Sequence, residues 1–94
     1  MQLEDWQDLI GNWGDATFPQ GTEESILRHL THEVNEELHP GCDPYELADV
    51  AILLLQLAHK RGINLAFQIR MKHKSNKARK WRYDPEQGFT VHVD

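Results

Sequence analysis

Residues 33–49 read Glu-Val-Asn-Glu-Glu-Leu-His-Pro-Gly-Cys-Asp-Pro-Tyr-Glu-Leu-Ala-Asp, with four carboxylates in two pairs of equal spacing: Glu33 with Glu36, then Glu46 with Asp49. Residues three apart on an α-helix share a face. Each pair therefore points one way, and the turn around Pro40 and Gly41 predicts antiparallel helices that bring the four acids together. Carboxylates held that close raise one another's pKa unless a counter-charge intervenes. The usual neutraliser of clustered oxygens is a hard divalent cation such as Mg²⁺. The stretch predicts a metal site between two helices of a bundle.

Helical signals continue on both sides. Leu3, Trp6, Leu9, Ile10 and Trp13 form an apolar stripe at three- and four-residue spacing, followed by a loop from Gly14 to Gly21. Thr22 reads as the N-cap of a second helix, with Glu23 and Glu24 in its first turn, where the dipole favours anions. That helix is expected to run to about Leu38, burying Ile26, Leu27, Leu30, Val34 and Leu38. Asp43 as N-cap with Pro44 at the first helical position starts a third. Between Leu47 and Ala58 only Asp49 and Gln56 are polar, so this helix should be central, with Gly62 as its C-cap. A fourth, about Asn64 to Trp81, buries Leu65, Ile69 and Phe67, and its line Leu65, Ile69, Lys72, Asn76, Arg79 turns from apolar to polar. Residues 89–93 form a short strand or an extended arm. The expectation is one all-α domain over residues 1–94: a bundle of about four helices, completed by oligomerisation, with a short extended C-terminal tail. A chain this short supports only a modest core, which is why a second copy is expected to cover an all-apolar helix.

Charge is sharply divided. Residues 1–59 hold twelve acids and one base, Arg28, whereas residues 60–82 hold nine bases and no acid. Such a basic segment can fold back on the carboxylates, bind nucleic acid, or meet phosphates held by a metal. The single cysteine, Cys42, excludes an intrachain disulfide framework, and nothing suggests Cys-based zinc binding. The longest apolar run, Val50 to Leu55, is too short to span a bilayer, and no leader pattern opens the chain. A soluble, untargeted, cytoplasmic protein is expected.

Each candidate has a plainer reading. Glu46, three residues after an Asp N-cap, fits a capping box equally well. Asp49 is harder to explain away, since a carboxylate in an apolar run needs a cation, a metal or a polar cleft beside it. Glu33, Glu36 and Glu37 also fit a solvated face, and Glu37 is assigned to one; the repeat of the pair spacing sets the other two apart. Lys72, Asn76 and Arg79 read by residue type as an outward basic stripe. A polyphosphate gives them a second reading, because Lys and Arg neutralise oxygens that metal ions leave over. Glu36 and His39 make one Glu-x-x-His unit, but the second unit of a di-iron bundle is missing, so an all-oxygen site outranks iron or zinc. His29, one turn before Glu33, lines the pocket mouth or makes a local polar contact. Trp6, Trp13 and Phe18 read first as core, with Phe18 able to offer an aromatic surface to a base.

With these residues in hand, the chain resembles the all-α nucleoside triphosphate pyrophosphohydrolases of the MazG type, whose signature is a Glu-x-x-Glu pair followed by a Glu-x-x-Asp pair. The likeness runs through Trp13, Thr17-Phe18, His29-Leu30, Glu33, Glu36, Glu46, Asp49, Arg61-Gly62, Lys72, Asn76, Arg79, Trp81 and His92-Val93. The Lys, Asn, Arg and Trp run with the terminal His-Val is similar to the dATP/dGTP diphosphohydrolase branch common in bacteriophages. The resemblance implies that Glu33, Glu36, Glu46 and Asp49 are catalytic and bind Mg²⁺, with Mn²⁺ as a substitute. It implies that a metal-activated water attacks the α-phosphorus of a purine nucleoside triphosphate, giving a monophosphate and pyrophosphate. It further implies that Lys72, Asn76 and Arg79 bind substrate with His29, Trp13 and Phe18, and that the protein works as a dimer or tetramer. Glu36 is the carboxylate it suggests for orienting the water. Only nine residues, Glu37 to Tyr45, separate the acidic pairs, so base selection must come from elsewhere, such as the Trp13 to Phe18 segment or a neighbouring subunit.

Three other functions compete. One keeps the site but takes dUTP, dCTP or a modified nucleotide. Another is a non-catalytic protein binding nucleic acid through the basic fourth helix; the acidity of the whole and the lack of aromatics within the basic run count against it. The last is an assembly module with structural Mg²⁺.

Overall fold

The computed structural model describes residues 1–93. Helices α1 (Leu3–Thr17), α2 (Glu23–Glu36), α3 (Pro44–Arg61) and α4 (Leu65–Lys77) are followed by strands β1 (Trp81–Asp84) and β2 (Phe89–His92). The caps fall where local chemistry demands. Thr22 accepts from the Ser25 N–H, Asp43 from the Tyr45 N–H and Asn64 from the Phe67 N–H, and Gly62 closes α3 with φ of 68°.

Helix α3 is central, packed against both α1 and α2, while α4 packs on α1. The core is Ile26, Leu53, Leu55, Ala58 and Ala66. One buried amide ties the α3–α4 turn to α1: Gln7 Nε2 donates to the Ile63 carbonyl at 2.6 Å, and its Oε1 accepts from the Leu65 N–H at 3.0 Å. At the other end of α1, Asp15 meets both His59 (2.8 Å) and Lys60 (2.7 Å) of α3. Hydrogen bonds from Lys60 and then His59 hold the Asp15 carboxyl below its ordinary pKa.

Several expectations are corrected. Helix α1 does not stop at Trp13 but runs through Gly14 to Thr17, because Gly11 and Gly14 lie buried against α3, where a missing side chain is an advantage. Helix α2 ends at Glu36, two residues short of Leu38; the Glu37 and Leu38 N–H groups both bond to the Glu33 carbonyl as the chain turns toward Pro40. Helix α4 ends at Lys77, and Trp81 belongs to a strand. Its indole Nε1 reaches back to donate to the Asn76 carbonyl at 2.7 Å, satisfying a helix-end acceptor. The four-helix bundle thus carries a small two-stranded sheet at its C-terminal end. The extended tail is half of an antiparallel hairpin pairing Trp81 with His92 and Asp84 with Phe89, its turn held by Asp84 and by Gly88 at φ of 79°. Leu27 and Val34 of α2 and Phe67 and Ile69 of α4, expected inside, are exposed, because each helix is covered on one side only.

The single chain is open in shape. Its radius of gyration is 15.6 Å, against about 12 Å for a compact domain of this length, and no described side chain is fully buried. Among the described residues no helix is long and apolar enough to cross a membrane.

The α1–α3 contact yields a paired prediction. A Cβ on Gly11 would sit 2.2 Å from His59 Cγ and 2.6 Å from its Cβ, so the helices must part. Gly11→Ala should cost about 1–3 kcal/mol by urea unfolding, despite the better helix propensity of Ala. Gly14→Ala, whose Cβ would meet Gln56 at 3.1–3.5 Å, should stay within about 1 kcal/mol of the parent protein.

Candidate functional site

The seven-residue connection between α2 and α3 sets their acidic ends side by side. Glu33 from α2, and Glu46 and Asp49 from α3, each offer a carboxylate oxygen, and the three oxygens lie within 4.8 Å of one another. Glu33 is well enclosed, its side chain only 16% exposed, with His29 one turn earlier at 3.2 Å. Glu46 is not tied up by capping: Asp43 caps the Tyr45 N–H, and the Glu46 carboxylate faces the cluster instead. Its pKa is raised above 4.5, by desolvation first and then by the charges of Glu37, Asp49, Glu33 and Asp43. Asp49, read from sequence as buried, is exposed in the single chain and sits on the wall of a cleft.

Among the described residues, no Lys or Arg pairs with any of the three. Oxygen donors close together, short of positive charge and partly desolvated, suit a hard divalent cation. Glu36, the last residue of α2, is exposed and outside this group of three. A helical step of three residues turns it aside and about 4.5 Å further along the axis.

The cleft beside the cluster has a volume of about 520 Å³. Glu33, Asp49 and His29 line its acidic end, Ile26, Ile52 and Leu53 its floor, and Trp13 and Phe18 its far wall. The Trp13 and Phe18 rings meet edge to face, with centroids 5.4 Å apart. Thus five residues expected at a substrate site, on three different elements, are brought together. Lys72, Asn76 and Arg79 are not: α4 packs on α1, and none of the three lines the cleft. Arg79 also lies beyond the end of α4, and Asn76 Oδ1 is buried without a hydrogen-bond partner. Sequence reasoning missed Ser25 and Gln56, which also line the cleft. The signal for Gln56 was present, since Asp49, Ile52, Leu53 and Gln56 fall on one helical face.

Comparison with known proteins agrees with this fold. Residues 6–93 match the family model of the dATP/dGTP pyrophosphohydrolases. The chain is 38% identical over 92 residues to a dATP/dGTP diphosphohydrolase of Salmonella phage PMBT28, an alignment covering 97% of this chain and 31% of that protein. It thus spans under a third of that relative's length. Its structure is similar to a cyanophage S-2L MazG-like pyrophosphohydrolase bound to dGDP and three catalytic Mn²⁺ ions per active site, with a TM-score of 0.84 and 30% identity, covering 100% of this chain and 99% of that one.

The raised pKa of Glu46 means that its ionised form weakens the metal-free fold, a cost fully present above the raised pKa and relieved as pH falls toward 4.5. Independently of that cost, Mn²⁺ or Mg²⁺ at a fixed concentration a hundredfold above its neutral-pH Kd should stabilise the protein by about 2.7 kcal/mol near neutral pH, and by less near pH 4.5, where protons compete for the carboxylate oxygens. Thermal scans of Asp49→Asn should show a metal-free protein at least as stable as the parent, with the metal-induced shift in Tm lost.

Proposed function

Because the chain belongs to the dATP/dGTP pyrophosphohydrolase family, we propose that it hydrolyses dATP and dGTP to the monophosphate and pyrophosphate. The observation that carries this reading is the convergence of Glu33, Glu46 and Asp49 at one end of a cleft whose other end is apolar and aromatic. One end suits a polyphosphate with its counter-cations, the other a planar base.

In this mechanism Glu33, Glu46 and Asp49, joined by Glu36, hold the divalent cations, Mg²⁺ in the cell with Mn²⁺ able to replace it. Bound there, the cations would supply a water of lowered pKa and offset charge on the phosphate oxygens. Glu36, exposed and outside the three acids that converge, orients the attacking water and receives its proton. The bond between the α-phosphorus and the oxygen bridging to the β-phosphorus breaks, and pyrophosphate leaves with that oxygen. Trp13 and Phe18 flank the base, and His29 holds Glu33 in place from 3.2 Å.

Lys72, Asn76 and Arg79 bind the β and γ phosphates from a second copy of the chain. Supporting this, they do not line the cleft of their own chain, while that cleft lacks Lys and Arg. The apolar stripe of Leu47 and Leu54 on α3, with Leu27 and Val34 on α2, lies open for a homo-oligomeric contact. We take the setting to be the cytoplasm of a host cell, where deoxynucleoside triphosphates are found.

Purified protein with Mg²⁺ should release pyrophosphate from dATP and dGTP in preference to the pyrimidine deoxynucleoside triphosphates. EDTA should stop turnover, and Asp49→Ala should abolish it with helical circular dichroism intact; full activity in that variant would overturn the metal assignment. Arg79→Ala should raise KM for the triphosphate more than it lowers kcat. Mixing Asp49→Ala with Arg79→Ala chains should restore activity above that of either alone, because some mixed assemblies hold one complete site; a strictly additive result would place the phosphate contacts within one chain.

A further inference from the structure

We infer that Gln56 reads the base of the substrate, and that its carboxamide is why one cleft accepts both a 6-amino and a 6-keto purine. The inference rests on the nucleotide-hydrolysing reading of the cleft and extends it to a residue that the acidic signature does not include. The chain places two glutamines in or near its interior, and they behave oppositely. Gln7 is buried, with both ends of its amide committed to backbone groups at 2.6 and 3.0 Å. Gln56 is half-buried on the cleft wall, and among the described residues its carboxamide forms no hydrogen bond.

The Gln56 carboxamide has no protein partner among the described residues and is not sealed from solvent, so on a cleft also lined by Ile26, Ile52 and Leu53 it is a polar group open to a molecule bound there. Position says which part of that molecule it meets. Asp49, Ile52, Leu53 and Gln56 lie on one face of α3, and the seven residues from Asp49 to Gln56 span about 10 Å of helix. That is comparable with the span of a nucleotide from its 5′ phosphorus to the far edge of a purine. A substrate with its phosphates at the Glu33–Asp49 end thus brings its base edge to Gln56, between the helix face and the Trp13–Phe18 wall. A pyrimidine joined at the same glycosidic position ends one ring short.

The chemistry of the amide supplies the dual preference. A carboxamide has a donor nitrogen and an acceptor oxygen side by side, and its terminal torsion is broad and roughly two-fold. In one orientation the oxygen accepts from the adenine 6-amino group while the nitrogen donates to ring N1. Turned over, the nitrogen donates to the guanine 6-oxygen and the oxygen accepts from N1–H. A carboxylate or guanidinium in the same place would match one pattern only. The amide lies against Gly14 of α1, where an added Cβ would stand 3.1 Å from Gln56 Nε2.

The test compares the parent protein with Gln56→Met, which keeps length and volume but cannot hydrogen-bond. Substrates are dATP, dGTP and the deoxynucleoside triphosphate of unsubstituted purine, which lacks a group at C6; calorimetric binding of dAMP and dGMP is read in parallel. The parent should favour dATP and dGTP over unsubstituted purine by about tenfold or more in kcat/KM. Gln56→Met should flatten that ratio to within about twofold and weaken both monophosphates, with its circular dichroism unchanged. A variant that turns over all three with the parent's ratio overturns the assignment. If the parent cleaves none of them yet binds both monophosphates more tightly than the variant, the hydrolase reading falls and Gln56 stands. If neither turnover nor differential binding is seen, both fall.

Discussion

The close approach of α1 to α3 at Gly11 and Gly14 is the contact on which the remaining geometry depends. At Gly11 the His59 ring occupies space that any side chain would claim, and at Gly14 the Gln56 amide lies almost as near. Two ties keep the helices in register there, the Gln7 amide at the α3–α4 turn and the Asp15 carboxylate on His59 and Lys60. Because the backbones are this close, Trp13 and Phe18 overhang the face of α3 that carries Asp49 and Gln56, and a cleft exists. A wider spacing filled by larger side chains would pack as well and leave no wall opposite the acids.

Electrostatics pulls the other way at the far end of the cleft. Glu33, Glu46 and Asp49 oppose one another, and no Lys or Arg of the described chain answers them. The fold tolerates this because α2 and α3 are each started by a strong cap, at Thr22 and at Asp43 with Pro44, and because Ile26 of α2 and Leu53 of α3 are buried near the acids. Stability is thus invested in apolar contacts adjoining the site rather than in neutralising it. The arrangement leaves the oxygens available to a cation, as sites under functional demand commonly do.

Much of this was legible in the residues themselves where the cause was local. Thr22, Asp43-Pro44, Gly62 and Asn64 mark helix ends through bonds to neighbours a few residues away, and sequence reading located them. The three converging acids followed from helical spacing and a short connection and His29 from standing one turn before Glu33, whereas Trp13 and Phe18, read first as core, were set at the site by the family resemblance. What could not be read was decided by partners far along the chain. Gly14 looks like a helix end until His59 and Gln56 are seen beside α1, and Trp81 looks helical until its indole caps α4 from a strand. Leu27, Val34 and Ile69 match a buried stripe in periodicity, but periodicity does not say which side of a helix its neighbours cover. Gln56 was hidden by its company, one polar residue in an apolar run.

The division of charge along the chain takes on meaning from this architecture. Nine bases within residues 60–82 sit mainly on α4 and the segment after it, and α4 is turned toward α1 rather than toward the acids. Lys60, Arg61 and Arg70 do pair with Asp15, Glu23 and Glu4 of the acidic half, but a base placed on the Glu33–Glu46–Asp49 cluster itself would have quenched it and left little demand for a cation. Kept apart, the acids stay open to metal and the bases stay open to phosphate. On the proposed reading, a second copy then joins the two through a substrate that is itself the missing counter-charge to one and counter-ion bridge to the other. On that reading a complete site would depend on assembly, and the exposed apolar stripes of α2 and α3 would have a role beyond burial: they would set where one chain's Lys72, Asn76 and Arg79 stand relative to another chain's carboxylates.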